Sequence, residues 1–265
     1  MRAGLKTDFF DAPTPRAIAH RGGGGLAPEN TMEAFAGAYR LGIRYFELDI
    51  HSSRDDVLVV CHDPDLKRTT DLTAAIRELY YDEIARADAG YRFAWQDQFP
   101  FRGKGVRVPR LTDVLAMFND TLFIIEIKQI SPSIAAALNE TLSATGTRRR
   151  VLVASEHQQP LSEIRALAPE LPTNFCTPEV LAFFGSLAIP GAAYQPPAEA
   201  VEIPPSHGSM VLATPTSVAS AHQRGLEMHV WTVNEEAQMR ELLEMGVDGI
   251  ITDFPDRLQA ILAQR

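Results

Sequence analysis

Glu47 and Asp49 stand two residues apart in the stretch YFELDIHSSRDDVLVVCHD, residues 45–63. Positions i and i+2 of an extended chain share a face, so a strand over 45–50 projects both carboxylates to one side. Two acids side by side at the end of an apolar strand repel each other and lose hydration, which a cation between them relieves. Solvated strand-edge acids, or acceptors for salt bridges, are the plainer alternative. Glu126, in the apolar run LFIIEI, adds a third carboxylate from a second strand. One divalent cation, Ca2+ or Mg2+, suits an all-oxygen donor set. Mn2+ and Zn2+ suit it less well, and zinc would draw on the histidines.

His20 closes a short apolar strand at 17–19, and His62 follows an extended run at 57–61. Imidazole titrates near neutral pH, so the two fit a general acid and base. Arg21 follows His20, and Lys128 shares strand parity with Glu126. These cations could clamp one phosphoryl group in a chain that is otherwise acidic. Trp231, at the end of a late strand, offers either an apolar wall for a small carbon skeleton or core packing. His51 is a reserve ligand of ambiguous direction. Cys61 adjoins His62, but neighbours on a strand face opposite ways, which disfavours a thiolate–imidazole pair. The run Gly22–Gly25 permits close approach to a ligand, yet has neither dinucleotide-fingerprint nor P-loop spacing.

The elements that would hold these residues alternate. A helix capped at Asn30 or Thr31 runs to about residue 41 between strands at 17–19 and 45–50, a βαβ unit. Residues 73–87 read as a helix, followed by an aromatic loop holding Tyr91, Phe93, Trp95, Phe99 and Phe101. That loop is either a satellite cluster or a roof over the site. Strands follow at 121–127, 151–154, 173–176, 192–195, 227–232 and 249–252. Helices lie between them at 111–118, 131–145, 160–167, 178–187, 216–224 and 236–244, and 196–209 reads as a Pro-rich loop. Eight core strands separated by helices give an α/β fold, a (β/α)8 TIM barrel with a small insertion at about 71–109. Residues 1–265 are expected to form a single domain.

The 34 acidic and 25 basic residues give a formal charge of -9. That balance gives no support for nucleic-acid binding and requires any phosphate site to be made attractive locally. No run reaches signal-peptide or membrane-spanning length, and two cysteines without a metal motif fit a cytoplasmic enzyme. Nothing in the sequence marks an oligomeric state.

His20-Arg21-Gly22, Pro28-Glu29-Asn30-Thr31, Glu47-x-Asp49, His62-Asp63 with Leu66 and Arg68-Thr69-Thr70, Glu126-Ile127-Lys128, Trp231-Thr232-Val233-Asn234 and the run from Gly246 to Asp253 occur in that order. On these pieces the chain resembles the glycerophosphodiester phosphodiesterase family from residue 20 to about residue 258. The resemblance implies a barrel that hydrolyses glycerophosphodiesters to sn-glycerol 3-phosphate and an alcohol. It implies Glu47, Asp49 and Glu126 as metal ligands, His20 and His62 as the acid/base pair, and Arg21 and Lys128 as phosphate contacts. It also implies attack by the substrate's own 2-hydroxyl, through a cyclic phosphate. Ser53 and Asp55-Asp56 replace the family's threonine and Asp-Gly turn, so the same hairpin is expected with some strain. The glycine run is longer than usual, and 71–109 is shorter than the large insertion of some members. A lysophospholipase D-type activity on lipid-bearing substrates is the main alternative. A non-catalytic binding barrel and a nucleic-acid phosphodiesterase fit less well.

Overall fold

The computed structural model describes residues 7–188 and 194–265. Its first half runs β1 (Arg16–Ala19), α1 (Met32–Arg40), β2 (Tyr45–Ser52), β3 (Leu58–Val60), α2 (Tyr81–Ile84), α3 (Leu111–Met117), β4 (Leu122–Ile127) and α4 (Ala135–Ala144). The second half runs β5 (Val151–Ala154), α5 (Gln158–Leu167), α6 (Thr177–Leu187), β6 (Ala200–Ile203) and the small hairpin β7 (Ser206–His207) and β8 (Met210–Val211). It ends with α7 (Pro215–Gln223), β9 (Glu227–Val230), α8 (Glu236–Met245), β10 (Gly249–Thr252) and α9 (Pro255–Leu262).

Parallel pairing runs β5-β4-β2-β1-β10-β9-β6. Thr173 bridges to Val153 on one side and Asn174 to Ala200 on the other, which closes the ring. The fold is therefore a parallel α/β barrel with one very short stave. That stave, expected over 173–176, shrinks to two residues for a local reason. Pro172 has no N–H to pair, and the Cys176 N–H already donates to Glu179 at the start of α6.

Other expectations shift. The strand expected at 192–195 lies in part outside the described residues, and Tyr194 and Gln195 are irregular. The sixth stave is β6, inside the segment read as a Pro-rich loop; paired prolines on either side disguise its four residues. The helix expected over 73–87 reduces to a 3-10 turn at Ile76–Glu78 and the single turn of α2. Ile76 and Ile84 are nonetheless buried, in a satellite cluster with Val59, Leu66, Val106 and Val108. The helix expected from Ser131 begins instead at Ala135.

Alternation along the staves divides the apolar residues. Phe46, Leu48, Phe123 and Ile125 face outward and pack under the helices, with Phe35 of α1 among them. Ile18, Tyr45, Ile124, Leu152, Ala200 and Ile251 face the barrel axis. Phe9, fully buried, plugs the lower end, where its carbonyl accepts from the Tyr45 hydroxyl at 2.8 Å. The lead-in that reads as irregular thus completes the core. Thr31 caps α1 by accepting from the Ala34 N–H. Among the described residues, no helix is long and apolar enough to cross a membrane.

Candidate active site

Inward parity that carries apolar residues deep in the barrel carries polar ones at the C-terminal mouth. Asp49 and Glu126 are direct neighbours across β2 and β4, with Glu47 one inward step below Asp49. Glu47, Asp49 and Glu126 bring one oxygen each within 4.8 Å of one another. Burial, with repulsion from Asp49 and Glu126, pushes the Glu47 carboxyl well above its usual range against the pull of Arg21. Burial likewise pushes Glu126 up to about 7, with Lys128 pulling the other way and Asp49 adding to the rise. Asp49 is 1% exposed, and its buried Oδ1 has no hydrogen-bond partner, the Lys128 ammonium standing 3.5 Å away. A carboxylate oxygen left in that state, within a set of carboxylates, fits a hard cation.

The remaining contacts fix these acids in place. Asp49 Oδ2 accepts from Asn30 Nδ2 at 2.8 Å and lies 3.3 Å from Arg21 Nε. Glu47 Oε2 accepts from the Arg21 backbone N–H at 2.9 Å. Arg21 stands there at φ 51°, a left-handed conformation that a residue with a side chain adopts at a cost. Gly22 then turns back beneath α1, where an added Cβ would lie 2.8 Å from the Phe35 ring. The glycine run was expected to approach a ligand; at Gly22 the close approach is to α1, and at Gly25 to the ring of Phe254.

His20 and His62 are built alike. His20 Nδ1 lies 2.7 Å from Asp253 Oδ1, and His62 Nδ1 lies 2.6 Å from Asp63 Oδ1. A carboxylate only accepts, so in each ring the proton sits on Nδ1 and Nε2 is left for chemistry. Asp253 is held in turn by Asn234 Nδ2 at 2.8 Å. Asp63 is held by Arg68 Nε at 2.5 Å, and Arg68 also grips both oxygens of Glu29 at 2.7 Å. Glu29 accepts from Arg21 Nη1 at 2.8 Å, so Arg68 ties the His62 arm to the Arg21 arm. Lys128 Nζ lies 2.7 Å from Glu126 and 3.5 Å from Asp49; burial lowers its pKa, but the two acids outweigh this and raise it.

His20, Arg21, Glu47, His62, Glu126, Lys128 and Trp231 all line one cavity of about 480 Å³. The reserve ligand His51 is engaged elsewhere: its Nε2 faces the His62 carbonyl at 3.0 Å. The aromatic segment at 91–101 does not roof this cavity. Phe93 and Phe101 meet edge to face, and Phe101 lines a separate groove along α1. The far wall comes from α6 and the β7–β8 hairpin, through Val180, Leu181, Phe184, Met210 and Leu212. Sequence reasoning gave α6 no role, although TPEVLAFFGSL is apolar nearly all round and one such face has no core to fill. It also gave none to Glu29, Asp63, Arg68, Asn234 and Asp253; the signal available was their place in the motif strings.

A parallel barrel with carboxylates, carboxylate-backed histidines and cations at the C-terminal mouth of its staves has them where barrel enzymes keep their active sites. The sequence pattern of the glycerophosphoryl diester phosphodiesterase family matches residues 20–257, and the chain belongs to that family. It is 31% identical over 246 residues to a glycerophosphodiester phosphodiesterase of Caldanaerobacter subterraneus subsp. tengcongensis, covering 91% of this chain and 95% of the relative. It is 26% identical over 269 residues to a lysophospholipase D of Mus musculus, covering 93% and 86%. A solved glycerophosphodiester phosphodiesterase from Agrobacterium tumefaciens matches with a TM-score of 0.77 and 29% identity, covering 93% of this chain and 100% of that one.

Proposed function

We infer that the protein hydrolyses glycerophosphodiesters to sn-glycerol 3-phosphate and an alcohol, with a divalent cation held by Glu47, Asp49 and Glu126. The observation that carries this reading is the meeting of that acidic triad, two carboxylate-backed histidines and two cations around one cavity. Ca2+ or Mg2+, favoured by the all-oxygen donors, supplies positive charge against the phosphoryl oxygens when bound.

The residues then divide the work. Arg21 and Lys128 orient the phosphoryl group. His62 Nε2 takes the proton of the substrate's 2-hydroxyl as that oxygen bonds to phosphorus. His20 gives a proton to the departing alcohol oxygen as its bond to phosphorus breaks, leaving a cyclic phosphate. Water then bonds to phosphorus and loses a proton to His20, while the bond from phosphorus to the 2-oxygen breaks and that oxygen takes back its proton from His62. The two histidines stand on separate arms of the site, His20 with Asp253 behind it and His62 with an Asp63 that Arg68 shares, so one group can serve each side of phosphorus. Trp231 lines the carbon skeleton's side of the cavity.

The test is phosphorus NMR of a panel of glycerophosphodiesters with choline, ethanolamine, glycerol or inositol as the leaving alcohol. The expected product is sn-glycerol 3-phosphate, preceded by a transient cyclic phosphate. Release of a phosphorylated head group instead would contradict the reading.

One observation favours a lipid-bearing substrate as a second reading. Leu181 and Met210, on the apolar wall, are 68% and 60% exposed at the cavity mouth. That wall suits a hydrocarbon chain, as in the substrates of a lysophospholipase D. Faster turnover of a lysophospholipid than of the matching glycerophosphodiester would establish it.

A further inference from the structure

A second set of ionisable groups runs through the barrel interior, and the chemistry just described uses none of it. Arg16, 4% exposed, pairs with Glu227 through Nη1, and its Nη2 donates to the carbonyls of Phe10 and Ala12 at 3.1 and 2.8 Å. Glu227 Oε2 lies 3.1 Å from His229 Nε2, and Glu202 Oε1 lies 3.1 Å from His229 Nδ1. Glu202 Oε2 accepts from Asn174 Nδ2 at 3.1 Å, and Asn174 Oδ1 accepts from the Ser155 N–H at 3.0 Å. The chain of contacts therefore rises from the plugged end of the barrel into the cavity, which Glu202 and Asn174 both line. Space for it is built in: a Cβ on Gly249 would lie 2.9 Å from His229 Cδ2.

Carboxylates only accept, so a carboxylate facing each ring nitrogen requires His229 to carry both protons. Burial works against that charge, but the hydrogen bonds to Glu202 and Glu227 prevail and raise the His229 pKa to about 9. Arg16 with Glu227, and His229 with Glu202, cancel in pairs. Apolar side chains like the neighbouring Ile124, Leu152 and Ile251 would fill this space without the desolvation of four charges. What the ionic chain provides and an apolar filling cannot is a fixed acceptor at the cavity surface. Each oxygen of Glu202 has one lone pair engaged and another free.

We propose that Glu202 is a specificity-determining residue that accepts a hydrogen bond from the free primary hydroxyl of the substrate's glycerol unit, with His229 and Asn174 as the residues that position it. This deepens the glycerophosphodiester reading and rests on it, and it stands against the lipid-bearing one, because a 1-acyl lysophospholipid carries an ester where that hydroxyl would be. Because His229 already balances its charge, Glu202 serves as an acceptor for a neutral polyol and not as a counter-ion for an ammonium head group. An acceptor that is 8% exposed is poorly rescued by solvent when its donor is missing, so the site rejects a substrate that lacks the hydroxyl.

The experiment compares glycerophosphoethanol with its analogue in which propane-1,2-diol replaces glycerol. The analogue keeps the attacking hydroxyl and loses only the primary one. Wild-type protein should prefer the glycerol compound by about 30- to 100-fold in kcat/KM, the range of one hydrogen bond to a charged acceptor. Glu202→Gln should cut that preference to below about fivefold, with the loss confined to the glycerol substrate, because the amide has one acceptor atom for three donors. Asn174→Ala should lower it in the same direction should Glu202→Gln fail to fold. Equal wild-type rates on the two diesters would overturn the proposal while leaving the hydrolase reading intact. An equal slowing of both substrates in Glu202→Gln would do the same. Failure of wild-type protein to cleave either diester would overturn both.

Discussion

Glu47 is buried beside two other acids, and its raised pKa means that the folded chain holds this proton more tightly than the unfolded chain. The sign of the linkage follows. Above the ordinary carboxylate range, keeping Glu47 ionised subtracts stability from the metal-free fold, and a bound cation restores it. Glu47→Gln should therefore stabilise the metal-free protein at pH 8 by on the order of 1 kcal/mol. It should also abolish the rise in melting temperature that Mg2+ or Ca2+ gives the wild type. Urea denaturation with EDTA, and then with metal, checks both; a destabilised variant that still responds to metal would contradict the account. Glu47, Asp49, Glu126, His20, His62, Arg21 and Lys128 were legible because strand parity and strand-end position are local properties. The partners that orient them were not. Arg68 meets Glu29 across 39 residues and His20 meets Asp253 across 233, and no local pattern encodes such pairs.

Among the elements, the β2–β3 hairpin sets where His62 lies. β3 pairs antiparallel with β2, Ile50 opposite Val60, and so returns the chain to the mouth. The Asp55-Asp56 substitution has the effect expected of it: Asp56 occupies φ 59°, a left-handed conformation that glycine adopts freely. Ser53 Oγ donates to Asp55 at 2.7 Å and accepts from the Val57 N–H at 3.0 Å, and Arg77 Nη1 donates to Asp56 at 2.7 Å, which hold the turn. Asp56→Gly relieves the backbone at the expense of an exposed ion pair worth little. It should raise stability by up to about 1 kcal/mol without changing kcat, measurable by thermal denaturation and steady-state assay. A loss of stability would show that the Arg77 contact outweighs the backbone strain. Elements with their own periodicity, such as α1, β2 and β4, could be read from sequence. β6 could not, because its four residues between the prolines, Glu202 among them, are too short a signal, and the 71–109 segment buries scattered side chains with only the single turn of α2.

At the scale of the molecule, the -9 formal charge leaves anion attraction to Arg21, Lys128 and the cation site. The barrel interior contributes a pH dependence of its own. His229 rises from 6.5 to about 9 on folding, so its contribution is full below about pH 6.5 and fades as pH climbs through about 9. Wild-type stability should fall across that window, whereas His229→Asn should show a flatter profile. At pH 6.5 the variant should be about 3 kcal/mol less stable, since two buried carboxylates lose their shared cation. Denaturant titrations at intervals from pH 6 to 9.5 read both, and parallel profiles would refute the assignment. The barrel itself was foreseeable from alternating strands and helices, but this ionic chain was not. Strand alternation sets His229 on the same side as Trp231, where it could line the mouth, but does not show Glu202 standing across from it on the next stave.

Metal dependence is read by release of sn-glycerol 3-phosphate from protein stripped of metal and then titrated with Ca2+ or Mg2+. Activity should be absent after stripping and return to a plateau as one ion binds per chain. Asp49→Asn, which replaces the buried carboxylate oxygen without a hydrogen-bond partner, should recover little at the same concentrations. Undiminished activity in stripped protein under EDTA, or full recovery by Asp49→Asn, would contradict this cation site.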